Sequence, residues 1–310
     1  MNVIPDDIDF DAYLKGPDEA AMILPASSWI DEVIEEFERP AQLSGAALPW
    51  SSTHRIIRLR RGELTIWPGI NGHGKSMLIG QVALNLLAQG EKVCIASMEM
   101  KPAKTMKRMS RQAFACEKPD RIALRDLHTW TDERLWLYAQ MGEVSAERIL
   151  AVGRYSHEKF GVNHLVVDNL LSCGIDEEDY SAQKRFVLAL ATHAHDTGQS
   201  VHLLAHSRKY KDEQKPPGKF DVRGASAITD LADNVFIVWR NVGKETSQDE
   251  GKHDKDDEPD AQLIVCKHRH GEWEGRIRLW FDRRSQTYLQ SSTEQPRAMQ
   301  LLADEDKVEF

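Results

Sequence analysis

The stretch GINGHGKS, residues 69–76, fits the pattern G-x-x-x-x-G-K-[ST] and constrains the fold more than any other segment. The pattern alone is weak, but its setting is specific. ELTIW at 63–67 reads as a strand before it, and KSMLIGQVALNLLAQG reads as a helix after it, ended by Gly90. Glycines at such a turn let the backbone wrap closely enough for its N–H groups to meet phosphate oxygens, and the helix start adds its positive end. The candidate nucleotide-binding residues are therefore Gly69, Asn71, Gly72, His73, Gly74, Lys75 and Ser76. Lys75 is placed to reach the β- and γ-phosphates, and the Ser76 hydroxyl to ligate Mg²⁺.

Beyond this loop strand and helix signals alternate. KVCIASMEM, HLVVDNL (164–170), VHLLAH, VFIVW (235–239) and LIVCK (263–267) read as strands that are apolar almost throughout. KPAKTMKRMSRQAFACE and EDYSAQKRFVLALATHAHDTGQ read as helices, the methionines of the first fitting a packed face better than a cofactor box. RIRLWF and TYLQ form an expected hairpin across Asp282 to Ser285, while DERLWLYAQM stays unassigned. The alternation predicts an α/β fold: a mostly parallel central sheet with helices on both faces and a C-terminal β-hairpin.

Three segments follow. Residues 1–50 are acidic and read as an arm, 51–290 as the core, and 291–310 as a flexible acidic tail ending in Phe310. Within the arm SSWIDEVIEEFERP fits an amphipathic helix with Ile30, Val33, Ile34 and Phe37 on one face. A lone helix of that size is marginal in water, so its apolar side covers either its own core or a neighbouring subunit. Residues 244–260 read as a solvated loop. The tail is either a free end or a segment that docks on a partner's basic groove. The net charge of −9 does not mark a nucleic-acid binder on average, although a channel shared by several subunits needs few cations from each. Four scattered cysteines lack zinc-like spacing, and no apolar run is long enough for a bilayer, so a cytoplasmic protein is expected, in a bacterial host if its origin is a phage.

The other strand ends carry the chemistry. Asp168 closes HLVVD and is placed to hold magnesium; its bland alternative is a structural aspartate. Glu99, at the end of VCIASME, is the candidate general base that orients water, against an exposed carboxylate at a helix start. His206, closing VHLLAH, is a candidate γ-phosphate sensor or a structural histidine. The segment after it contains Arg208, Lys215, Lys219, Arg223 and Gly224, and suits either a phosphate-backbone grip or an ordinary solvated loop. Lys267 and Arg269 alternate as a strand leaves the core, so both can emerge at an edge.

GINGHGKS, SMEM (97–100), HLVVDNL, LLAHSRK, DVRGASAITDLADNVFIVWR and KHRHGEWEG, in that order, resemble the hexameric replicative DNA helicase family, the DnaB-like proteins with a RecA-like core. Within it the set is similar to twinkle and to the helicase domain of phage primase-helicases, over about residues 55 to 290. The resemblance implies a ring-forming helicase that hydrolyses ATP or dNTP with Mg²⁺ and translocates 5′ to 3′ on single-stranded DNA. It implies that Lys75, Ser76, Glu99, Asp168 and His206 act in hydrolysis, that Arg269 with Lys267 acts in trans on a neighbour's nucleotide, and that the 208–224 neighbourhood contacts DNA. The implied partners are DNA, other copies of the chain, and replisome proteins such as a primase, a polymerase or a single-strand-binding protein. A primase or helical N-terminal domain, frequent in the family, has no counterpart in the residues before this core. The competing readings on the same core are a RecA-like recombinase, a DNA-dependent regulatory ATPase without processive unwinding, and a nucleotide-holding scaffold.

Overall fold

The computed structural model describes residues 2–4, 25–38, 44–176, 178–206, 216, 226–271 and 273–301. In chain order the strands are β1 (Asn2–Ile4), β2 (Ala46–Ala47), β3 (Arg58–Leu59), β4 (Leu64–Gly69), β5 (Val93–Ser97), β6 (Leu135–Tyr138), β7 (His164–Asp168), β8 (Ser200–His206), β9 (Asn234–Arg240), β10 (Ala261–His268), β11 (Gly275–Asp282) and β12 (Thr287–Leu289). The helices are α1 (Ile30–Glu38), α2 (Lys75–Ala88), α3 (Pro102–Ala113), α4 (Arg121–Trp130), α5 (Ala146–Phe160), α6 (Tyr180–Thr197), α7 (Ser226–Thr229) and α8 (Val242–Asp249).

Ten strands form one sheet in the order β1-β6-β5-β7-β8-β4-β9-β10-β11-β12, and β2 pairs with β3 apart from it. Pairing is parallel from β1 to β9 and antiparallel from β9 to β12. Every residue of β4, β5, β6 and β7 is buried, as strands covered on both faces require. Alternate side chains divide between two cores. Leu64, Ile66, Cys94 and Leu165 face one side with Val152 of α5 and Phe186 and Leu190 of α6. Trp67, Val93, Ile95 and Leu204 face the other with Leu78 and Val82 of α2 and Met106 and Met109 of α3. The methionines are thus packing residues.

Helix ends are set locally. Asp120, Ser145 and Asp179 accept from backbone N–H groups at the starts of α4, α5 and α6, and Gly161 and Gly198 end the latter two in left-handed conformations. Three expectations change. DERLWLYAQM contains β6, whose register brings β1 onto the sheet edge, so the first described residues extend the sheet. The stretch 244–260 is not simply a solvated loop: α8 occupies its start, and buried Lys244 pairs with Asp260 at 2.9 Å and donates to the Glu258 carbonyl. The described part of the tail lies against the core through Met299 and Leu301, and the Met299 N–H donates to the Ala113 carbonyl at 2.7 Å.

Candidate functional site

The strand order places β5, β7, β8 and β4 side by side, and their register aligns the carboxyl ends: Ser97 pairs with Asp168, and Gly69 with His206. Ligands of open parallel sheets bind outside such ends, where connections diverge to the two faces. Asn71, Gly74, Lys75, Ser76, Glu99, Asp168 and His206 line one cleft of about 610 Å³ there. The sequence-predicted hydrolytic residues, apart from Lys267 and Arg269, are therefore brought together.

The loop is shaped by its glycines and its lysine. Gly72 and Gly74 have positive φ, and a Cβ on Gly74 would stand 2.3 Å from the Tyr288 hydroxyl of β12. Lys75 is buried, and its ammonium donates to the carbonyls of Gly69 and Ile70 at 2.8 and 3.1 Å and approaches His206 Nδ1 at 3.3 Å. Burial pushes its pKa down to about 8, against the opposing pull of the Asp168 and Glu99 carboxylates. Asp168 is buried as well. Burial raises its pKa, while a hydrogen bond from Ser76 works in the other direction.

Glu99 follows β5 and keeps a side chain 54% exposed, so it faces the cleft instead of the core. Its carboxylate lies 3.8 Å from His206 Nε2. Between them sits Asn169, which the sequence reading passed over. Its amide nitrogen donates to Glu99 Oε1 and stands 2.9 Å from His206 Nε2. The peptide bond between Asp168 and Asn169 is cis.

Other cleft residues were also missed. Lys101, just before α3, and Lys104 and Arg108 on it add positive charge to the wall; the basic run directly after SMEM was the available signal. Arg240 closes β9 on the far side of the loop, reaching the Gly72 carbonyl at 3.4 Å while held by Glu245. The expected contribution of His73 narrows. Its side chain is buried, and Nδ1 accepts from the Arg240 N–H at 3.1 Å, so only the backbone of this residue remains with the loop.

Lys267 and Arg269 lie elsewhere. Antiparallel pairing sets His268 opposite Asn234, and Asn234 opposite Thr65, so both cations stand at the amino end of the parallel strands. The length of β4 separates them from their own cleft by about 20 Å. Arg269 pairs with buried Asp233 at 3.1 Å, and Lys267 donates to the carbonyls of Thr229 and Asp230 at 3.3 and 2.9 Å. The candidate DNA-contacting residues Arg208, Lys215, Lys219, Arg223 and Gly224 lie outside the described residues. Among the described residues no helix is long and apolar enough to cross a membrane.

A phosphate-binding loop joined to acidic and imidazole groups at the carboxyl ends of a parallel sheet defines a RecA-like P-loop nucleotide-binding core. Residues 46–212 match the AAA domain family, and the chain belongs to it. Over 209 residues it is 25% identical to the DNA helicase/primase of Enterobacteria phage T3, a match that takes in 60% of this chain and 37% of that protein. A solved ATPase domain superposes with a TM-score of 0.71 at 16% identity, covering 86% of this chain and 98% of that one. A DnaB-like replicative helicase, solved in a study of its interactions with primase, gives the same TM-score and identity over 87% of this chain and 69% of its own. The fold is that of these two solved structures.

Proposed function

We propose that the chain is a nucleoside-triphosphate-hydrolysing replicative DNA helicase, which assembles as a ring, six-membered by resemblance, and moves 5′ to 3′ on single-stranded DNA. One observation carries the reading. Lys75, Ser76, Asp168, Glu99 and His206 share a single cleft while Arg269 stands at the opposite end of the same sheet. A cation so placed cannot serve its own nucleotide, whereas in a head-to-tail ring it enters the neighbour's cleft.

In this reading the backbone of the 69–76 loop and Lys75 hold the phosphates of ATP or a dNTP. Glu99, exposed to the cleft, takes the proton of the attacking water. His206 contacts the γ-phosphate and passes its loss to the segment from Arg208 to Gly224, which grips DNA. Arg269 of the adjacent copy, with Lys267 beside it, stabilises charge on the transferred phosphoryl group. The donor set also fits a divalent cation. Asp168 is a buried carboxylate whose ionised form burial disfavours, and Ser76 stands against it, so these two residues would hold Mg²⁺. When bound, Mg²⁺ neutralises charge on the phosphate oxygens.

Assembly has support in α1. Ile30, Val33, Ile34 and Phe37, with Trp29 just before the helix, expose an apolar stripe, with Phe37 88% exposed, on a helix whose sequence is otherwise acidic. The groove between α3 and α4 has Ala103, Met106 and Leu124 with Lys107, Arg111 and Arg121 around it. That pairing of apolar and charge complements suits α1 of a second copy. Primase, polymerase or single-strand-binding protein are the partners such a ring would meet, in the cytoplasm of a host cell.

Forked substrates with a 5′ or a 3′ single-stranded tail test the reading. ATP-dependent unwinding of the 5′-tailed fork, with closed rings in images of the same sample, is expected. Filaments that pair strands without unwinding would favour a recombinase, and hydrolysis indifferent to DNA would exclude the helicase.

A further inference from the structure

Resting on the roles proposed for Glu99 and His206, we infer that Asn169 is a positioning residue: it fixes the Glu99 carboxylate and couples it to His206 through one amide group. Asn169 is buried at the tip of β7, between the strands that present the other two residues. Its carboxamide is oriented from behind. The oxygen accepts from the N–H groups of Leu171 and Ser172 at 2.9 and 3.3 Å, which directs the NH₂ group into the cleft. That group has two hydrogens and two facing acceptors, Glu99 Oε1 and His206 Nε2.

The contacts constrain one another. An amide NH₂ only donates, so His206 Nε2 must accept, which puts the proton of the neutral ring on Nδ1. Yet Nδ1 faces the Lys75 ammonium at 3.3 Å, and that group is also only a donor. One tautomer cannot satisfy Lys75 and Asn169 together. A triphosphate in the cleft draws the Lys75 ammonium to its oxygens, lets Nδ1 carry the proton, and leaves Nε2 to accept from Asn169. The second amide hydrogen holds Glu99 throughout. Base and sensor are then bridged by one amide group once phosphate engages the lysine.

The test uses Asn169→Asp and Asn169→Ser in the full chain. Both keep a side-chain oxygen to cap the 170–172 turn, and both lose the NH₂ group. The measurements are DNA-stimulated turnover, affinity for a fluorescent ATP analogue and thermal midpoint. The expected result is a fall in kcat of about 10- to 100-fold in both variants with analogue affinity within about threefold, the loss belonging to general-base positioning. Combined with His206→Ala, the Asn169→Ser penalty should shrink by about tenfold, because the two residues act as one unit. A residue that only caps the turn would leave both variants as active as the unaltered chain, and that result overturns the inference. So does a loss of analogue affinity in step with turnover, or penalties that simply multiply. Glu99→Gln in the same assay separates the layers. If it is silent while the Asn169 variants are active, only this inference falls; if it turns over normally, the base assignment falls and takes the inference with it.

Discussion

Lys75 is asked to be charged toward phosphate yet sits where charge is disfavoured. Burial holds its pKa at about 8, against an ordinary 10.5, so the folded chain binds fewer protons than the unfolded one between those values. Stability from this group therefore rises with pH across that window, and the cost of the buried charge is fully present below it. Nucleotide acts in the opposite direction, since phosphate favours the ammonium. Affinity for ATP should be level below pH 8 and fall above it, approaching about tenfold per pH unit, with a proton taken up on binding. Calorimetric titration in buffers of different ionisation enthalpy reads that uptake directly; none between pH 8 and 9 would remove Lys75 from the phosphate contact. Lys75, Ser76, Glu99, Asp168 and His206 were legible as residues because each ends a strand or begins a helix in a recognisable pattern. Asn169 was not. Its oxygen serves a local turn, an ordinary task for asparagine, and its second task exists only once β5, β7 and β8 lie side by side.

Elements were legible where one physical signal dominated. Strands with apolar residues throughout and helices with a clear stripe fell where expected, whereas β6 and α4 follow one another across a short turn and blend two periods in one stretch. Residues 244–260 misled because their charge density resembles a loop, and only folding shows that Asn241 caps α8 and that Lys244 is buried against Asp260. For α1 the stripe was readable, but what covers it was not, and in one copy it remains exposed. Phe37→Glu tests the element. Changing so exposed a side chain should alter the stability of the single chain by no more than about 0.5 kcal/mol. The same change should lower the assembled mass seen in sedimentation with ATP present, because a glutamate there opposes burial against a second copy. An unchanged mass would detach α1 from assembly.

At the scale of the whole molecule the sheet separates the two halves of the proposed chemistry. The cradle stands at the carboxyl ends of β4, β5, β7 and β8, and Arg269 is tethered by Asp233 at the amino end, where Asp233 also accepts from the Leu64 N–H at 2.9 Å. From sequence, the exit of Arg269 at an edge was readable; which end of the sheet it reached depended on β10 running against β9. That polarity makes complementation decisive. Lys75→Ala disables the cradle and Arg269→Ala the cation, so each chain alone should be inactive. In rings mixed in equal amounts, about one quarter of the interfaces join an intact cradle to an intact arginine if the contact is head-to-tail. DNA-stimulated hydrolysis should therefore return on mixing, toward about that fraction of the unaltered rate, and should fail to return when both substitutions are placed in one chain and mixed with itself. If Arg269 acted within its own subunit, no mixture of the two variants would contain a complete site, and the mixed sample would stay as silent as its components.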